Sequence, residues 1–270
     1  MRPERARTYQ TEGIILNRRD WGEADRLITL FTPEYGKLRV VAVSARKPTT
    51  RKSGHLELFT RGRFVLARGR TFDKLTQAQT LDYFEGVRRD LARIGQAGML
   101  CELVDRFFEE ADAAPAVYDL LHNALLALNS GAPGDLVLLH FQMHLFDLVG
   151  YRPALHECVV CGEPVAPVAQ FISVELGGVV CPTCRQRLRE EEGAAAEQMV
   201  RPLSLNALKV LRFLQTAPWP RVRKLRLPDD VREEVRTLLE LWATHHLERG
   251  LRSGRFLREV EAWYDAKKKP

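Results

Sequence analysis

No apolar run in this 270-residue chain approaches the roughly 20 residues that a membrane-spanning helix requires. The longest candidate, residues 136–150, is interrupted by His140, Gln142, His144 and Asp147. Residues 1–9 are basic, with no apolar stretch behind them of the signal-peptide kind. These absences predict a soluble intracellular protein, cytoplasmic and without a membrane partner. Catalytic signatures are missing as well. No G-x-x-x-x-G-K-[ST] run is present to cradle nucleotide phosphates, and no G-x-S-x-G elbow presents a nucleophilic serine. His140 and His144 stand four apart, as on a zinc-protease helix, but Phe141 holds the place of the general-base glutamate, so they read as helix-core histidines. The H-x-E…P-C-x-x-C pattern of zinc deaminases fails at both ends, because Cys158 stands where its Glu should be and Val180 precedes Cys181. The expectation is a protein that is not an enzyme. Hydrophobic residues at 45% still exclude a wholly disordered chain. The length suits two domains, or one body carrying a small metal-stapled module.

Cysteine is scarce, at five residues, yet four of them carry the most specific chemical signal. Cys158, Cys161, Cys181 and Cys184 form a C-x2-C-x19-C-x2-C pattern. Two residues between cysteines let one tight turn offer both thiolates to one ion. Two such turns complete a tetrahedral Zn²⁺ shell with Zn–S distances of about 2.3 Å. Gly162 follows the first pair, and Gly177-Gly178 lead toward the second. Disulfide pairing is the alternative, disfavoured because disulfides seldom persist in the cytosol. Four thiolates leave no open coordination position, so one structural Zn²⁺ per chain is expected. The fifth cysteine, Cys101, falls on an apolar helical stripe and reads as a core residue.

Charge is unevenly spread. Residues 1–84 carry 17 Lys/Arg against 9 Asp/Glu, residues 85–155 carry 5 against 10, and residues 156–270 carry 19 against 16. A basic head beside an acidic middle suggests two partners, or a polyanion held at one end only.

The basic head reads as β structure. Apolar and β-branched runs at residues 13–16, 26–31, 37–45, 58–68 and 74–81 are separated by turn residues such as Pro33 and Gly36. Five short strands without room for crossover helices suggest a small closed barrel. An OB-fold has that strand count, and an SH3-like barrel is not excluded by it. From residue 88 the period changes: Leu91, Ile94, Gly98, Cys101, Val104 and Phe108 recur at helical spacing. Further helices are expected over residues 116–128 and 135–149, the latter closed by Gly150. After the cysteine module an Ala/Glu-rich linker begins at Glu190. Ser204 is placed to cap a helix over residues 205–214, and Pro228-Asp229 opens a longer one reaching Glu248. Lys267, Lys268 and Lys269 read as a frayed tail. The fold class is multidomain α+β. An N-terminal OB-fold barrel (1–84) is followed by a helical domain (85–155) and an inserted four-cysteine zinc ribbon (156–189). A linker and C-terminal helices packing on the helical domain complete the chain (190–270).

The run TEGIILNRRDWGEADRLITLFTPEYGKLRVVAVSARKPTTRKSGHLELF resembles the start of RecO-type recombination mediators, and QMHLFDLVGYRPALHECVVCG resembles their junction between helix and first knuckle. HHLERGLRSGRFL adds weaker support. The resemblance implies an OB-fold that binds single- and double-stranded DNA. It also implies annealing of strands covered by single-strand binding protein, help in loading RecA, and the partners RecR and the tail of single-strand binding protein. A cytoplasmic, nucleoid-associated DNA repair protein follows from the same resemblance. Some members of that family lack the metal cysteines; all four are present here.

A groove for single strands needs a track of cations and flat side chains on which bases stack. Candidates for the cations are Arg18, Arg19, Lys37, Arg39, Arg46, Lys47, Arg51, Lys52, Arg61 and Arg63, with Arg68 and Arg70 nearby. Arg18, Arg19 and Trp21 are expected in the first strand–strand loop. Trp21 is the leading stacking candidate because its neighbours are polar; Tyr35, Phe59, Phe64 and Phe72 fit a barrel core as well. A zinc-ribbon RNA-binding or transcription factor using the same barrel is the competing reading.

Overall fold

The computed structural model describes residues 7–46, 53–192, 199–247 and 250–268. They group into two compact units, residues 1–134 with 251–270, and residues 135–250. The chain order is β1 (Thr8–Trp21), β2 (Asp25–Thr32), β3 (Gly36–Ala42), β4 (Arg61–Ala67), β5 (Asp73–Asp82), α1 (Glu85–Arg88), α2 (Leu91–Phe107), α3 (Pro115–Asn129), α4 (Gly134–Leu148), β6 (Gln170–Ser173), β7 (Gly178–Val180), α5 (Pro182–Glu192), β8 (Arg201–Leu203), α6 (Leu205–Thr216), α7 (Trp219–Val222), α8 (Asp229–His246) and α9 (Arg252–Lys268).

In the first unit, β1 to β5 close into a barrel in the order β1-β2-β3-β5-β4. β1 pairs antiparallel with both β2 and β4, and β3 meets β5 in parallel at Val40↔Asp73 and Val41↔Lys74. This connectivity is OB-like, which the strand count alone left open. Ile15, Ile28, Leu30, Val40, Phe64, Leu66 and Leu75 fill the interior. β1 has 14 residues and breaks register between Ile15 and Asn17. A bulge of this kind bends a long strand so that it can serve two neighbours. The same strand runs well past the apolar residues 13–16. Arg18, Arg19 and Trp21 therefore lie in β1 and not in a loop, paired with Ile28, Leu27 and Asp25 of β2. The Asn-Arg-Arg-Asp run before Trp21 carries no strand signal; the backbone ladder holds it.

Asp90 caps α2, its carboxylate accepting from the Ala92 and Arg93 amides. The helix buries Gly95, Ala97, Met99, Leu100, Cys101, Leu103 and Val104, a wider face than the expected stripe, and leaves Leu91 43% exposed. The width has a cause: α9 packs along α2, with Leu257 and Phe256 set against Gly95. A closing helix through Lys268 replaces the frayed tail expected at Lys267 and Lys268; Lys269 lies outside the described residues. In the β2–β3 turn, Gly36 has φ +63°, and a Cβ there would collide with the backbone of Asp112.

In the second unit, a three-stranded sheet of order β7-β6-β8 carries the cysteine module. Residues 151–155 lead into it and are fixed by three side chains. Trp242 Nε1 donates to the Tyr151 carbonyl (2.9 Å), Gln215 Nε2 to Pro153 (2.7 Å), and Arg212 to Leu155 (2.7 and 3.0 Å). Ser204 caps α6 through the Ala207 amide, as its position predicts. Val231, Val235, Leu238 and Trp242 are buried along α8. No described helix is long and apolar enough to cross a membrane.

Candidate nucleic-acid interface and metal centre

The ligand face of an OB-fold is bordered by the loop after its first strand and the loop before its fifth. Here these loops, residues 22–24 and 68–72, bring two aromatic rings together. Trp21 meets Phe72 edge-on, with centroids 5.7 Å apart and planes at 85°, and the Arg19 guanidinium lies 5.6 Å from the indole. Trp21 stays 41% exposed. Arg70 is exposed in the same loop, and Arg68 covers the Tyr9 ring at 4.8 Å. Arg46 is exposed and shares Asp20 with Arg26, at 3.5 and 3.8 Å. Among the described residues, Arg19 and Arg70 have no carboxylate partner, so their charge is available to an anion. Of the other aromatics named above, Phe64 and Phe59 are buried, and Tyr35 packs on Tyr9 in the β2–β3 turn at the opposite end of β2.

The remaining candidate cations are engaged within the protein. Arg18 pairs with Glu57 at 2.5 Å. Lys37 is 6% exposed; its ammonium donates to the Asp105 carbonyl at 2.5 Å and faces the Asp105 carboxylate at 3.3 Å. It shares its strand face with Arg39, as alternation predicts, but that face meets the segment after α2, where Arg39 pairs with Glu110 at 3.0 Å. Arg61 is clamped between Glu12 and Asp82, each at 2.7 Å, and Arg63 reaches Glu12 at 3.2 Å. Burial works against the Arg61 charge, yet hydrogen bonds to Asp82 and Tyr118 raise its pKa above the ordinary arginine value. Lys47, Arg51 and Lys52 lie outside the described residues. The carboxylates that occupy these cations come from β1 (Glu12), the segment before β4 (Glu57), β5 (Asp82) and the residues of and after α2 (Asp105, Glu110), which no local pattern reveals.

The four metal-pattern cysteines converge. Their Sγ atoms all lie within 4.8 Å of one another, and a tetrahedral Zn–thiolate shell needs S–S separations of about 3.8 Å. The first knuckle turns at Gly162, whose φ is +77° and whose amide donates to the Cys158 carbonyl at 2.8 Å. The second knuckle sits at the start of α5, with Pro182 in the first turn. The Cys181 amide points at Cys158 Sγ (3.3 Å), and the Cys184 amide at Cys181 Sγ (3.4 Å). Such N–H···S contacts stabilise thiolates. Burial opposes ionisation of Cys158, but the amides of Cys181, Cys161 and Val160 bring its pKa down to about 6. Burial, and hydrogen bonds to the other three sulfurs that favour the protonated Cys184 thiol, push its pKa up to about 12. Arg187 lies 3.9 Å from Cys184 Sγ, an outer-shell cation that the ligand spacing did not indicate. Gly177 (φ +81°) makes the β6–β7 turn, and a Cβ at Gly178 would strike the Ala154 carbonyl. The donor set and closed geometry fit a structural metal. Cys101 is buried on α2, as its stripe predicts, and burial pushes its thiol well above the usual range.

Residues 6–84 match the family described as Recombination protein O N terminal, and residues 88–255 match Recombination protein O C terminal. The chain belongs to the RecO family. Among curated proteins it is similar to the "DNA repair protein RecO" of Roseiflexus sp. (strain RS-1), at 43% identity over 95% of this chain and 87% of that one. Similar proteins of the same name occur in Desulforudis audaxviator (39% identity, covering 93% of this chain and 97% of that one) and Dehalococcoides mccartyi strain ATCC BAA-2266 (35%, covering 84% and 86%). The RecO signature accounts for both the barrel and the helical and cysteine-bearing parts. His140 and His144, set aside above as catalytic ligands, have ring centroids 4.2 Å apart, with His140 5.6 Å from Trp219. Burial, then His144, lowers the His140 pKa to about 4.

Proposed function

We propose that this RecO-family protein is a non-enzymatic DNA repair factor that binds DNA through the barrel end around Trp21, anneals complementary single strands and helps RecA replace single-strand binding protein. The observation that carries the reading is the contact of Trp21, at the end of β1 beside Arg19, with Phe72 of the β4–β5 loop that also carries Arg70, at the border of an OB ligand face. The exposed Trp21 ring, with half-buried Phe72 against it, supplies stacking that tolerates any base, and guanidinium groups without a carboxylate partner supply phosphate contacts. Arg46 belongs to the same end, and the candidates Lys47, Arg51 and Lys52 follow it in the sequence. Sequence-independent binding is the expected mode, since neither feature reads base edges.

The partners proposed are single- and double-stranded DNA, RecR, the C-terminal tail of single-strand binding protein, and RecA indirectly, in the cytoplasm with the nucleoid. The cysteine quartet holds one structural Zn²⁺, whose role is to staple the ribbon. The domain scheme 1–84, 85–155, 156–189 and 190–270 describes these roles.

The test is annealing of complementary strands pre-coated with cognate single-strand binding protein, with and without this chain. Fast annealing without ATP supports the mediator reading. No acceleration, with DNA binding retained, favours the RNA-binding or transcription reading.

A further inference from the structure

From residue 199 to residue 228 the chain carries seven Lys/Arg and no Asp/Glu. Four of these cations, Arg221, Arg223, Lys224 and Arg226, fall within six residues and are all exposed. Between them, Val222 is fully buried and Leu225 is half-buried, with half-buried Leu227 next to Arg226. The apolar residues pin the segment while the cations project from it. The backbone is fixed as well. The Arg223, Lys224 and Leu225 amides donate to the carbonyls of Trp219, Arg221 and Val222 at 2.9, 3.2 and 3.0 Å. Arg221 also rests over the Phe213 ring at 5.4 Å. None of the four has a carboxylate partner among the described residues. The contrast with the following helix is direct: Arg232 pairs with Asp135 and Asp229, and Arg236 with Glu233 and Glu240. Solvation alone does not call for a rigid turn that gathers four like charges and excludes acids, because like charges repel and cost stability.

We infer that residues 221–226 form a second nucleic-acid site, which holds the phosphate backbone of a strand independently of the barrel. The inference rests on the DNA-binding reading above and deepens it. A chain with one polyanion site in each compact unit holds two strands at once, which is what annealing requires of a protein without a motor. The site reads no sequence, since it offers point charges and forks but no base-edge contacts. Each phosphate neutralised on a single strand contributes about −0.7 to the slope of log affinity against log salt, so four contacts give about −2.8.

The experiment uses the full chain and two short, non-complementary single strands, one carrying a donor fluorophore and one an acceptor. Energy transfer then reports bridging without base pairing. Three proteins are compared at several salt concentrations: the wild type, Arg221→Glu/Arg223→Glu/Lys224→Glu/Arg226→Glu, and the barrel variant Arg19→Glu/Trp21→Ala/Arg70→Glu. Four Arg/Lys→Gln changes serve as a milder second turn variant, with circular dichroism confirming that each folds. The expected result is that both turn variants still bind one strand but lose bridging at least fivefold. The barrel variant should keep a residual, salt-steep affinity. Wild-type bridging by the turn variants overturns the second site. Wild-type binding by the barrel variant, with binding abolished in the turn variants, keeps the turn site and overturns the barrel reading instead.

Discussion

Glu102 of α2 caps the last helix of the chain: its carboxylate accepts the Ser253 amide at 2.8 Å and the Ser253 hydroxyl at 2.6 Å, together with the Arg252 amide at 3.0 Å. Arg106, one turn along α2, lies 3.3 Å from the same carboxylate. An acidic group at a helix N-terminus satisfies orphan amides and meets the positive end of the dipole. Here the cap is tertiary, supplied from 151 residues away.

The first prediction concerns this clamp. Burial raises the Glu102 pKa, but the Ser253 and Arg252 donors and Arg106 outweigh it and hold the group below its ordinary 4.5. A lowered folded-state pKa stabilises above the unfolded value, and that contribution is lost as pH falls through the folded value. The protection of residues 252–263 against hydrogen exchange, relative to the intrinsic rate at each pH, should therefore fall below about pH 4.5, before that of the barrel. Glu102→Gln should cost about 1–2 kcal/mol and flatten that acid dependence. An unchanged exchange profile in the variant would show that α9 is held by apolar packing alone.

Lys37 supplies the second. Lys37→Met removes the ammonium from Asp105 and leaves a polar carbonyl and carboxylate facing an apolar tail. Stability to urea should fall by about 2 kcal/mol, while affinity for single-stranded DNA stays within twofold. A tenfold loss of affinity at full stability would make Lys37 a DNA contact after all.

Trp21→Ala is the complementary case. The ring is exposed and its loss costs the barrel little, so unfolding should shift by less than about 1 kcal/mol. Affinity for single strands should drop by about 1–3 kcal/mol, the range for one lost stacking partner. Arg19→Gln should act differently, lowering the salt slope by about 0.7.

The fourth prediction is on the metal. Cys181→Ser should abolish stoichiometric zinc, measured by elemental analysis, and loosen residues 156–192 while the barrel stays folded. Retention of one zinc per chain by this variant would falsify the ligand assignment. Chelator treatment of the wild type should reproduce the local loosening, since thiolate binding energy is folding energy in such modules.

Some of this was legible from residues alone. The C-x2-C pairs announce a metal site because two intervening residues set a chelating turn wherever they occur. Gly150 and Ser204 mark helix ends for equally local reasons: Gly150 turns with φ +82°, and the Ser204 hydroxyl caps the first turn of its helix. Apolar and β-branched runs located each barrel strand but not its ends: β1 extends beyond residues 13–16 in both directions, while the runs 37–45 and 58–68 overshoot β3 and β4. The polar half of β1, residues 17–21, is a strand only because β2 pairs with it.

What the tertiary structure decided is which charges are spent and which are free. Lys37 and Arg39 are as basic in sequence as Arg19 and Arg70, yet the first two end against Asp105 and Glu110. The same holds for α9, whose cap lies on α2. Sequence determines short-range chemistry, such as chelate spacing, capping and strand or helix period, because the interacting groups are neighbours in the chain. An ion pair or a tertiary cap joins groups that only the closed fold brings within 3–4 Å, where Coulomb attraction and hydrogen bonding outweigh solvation.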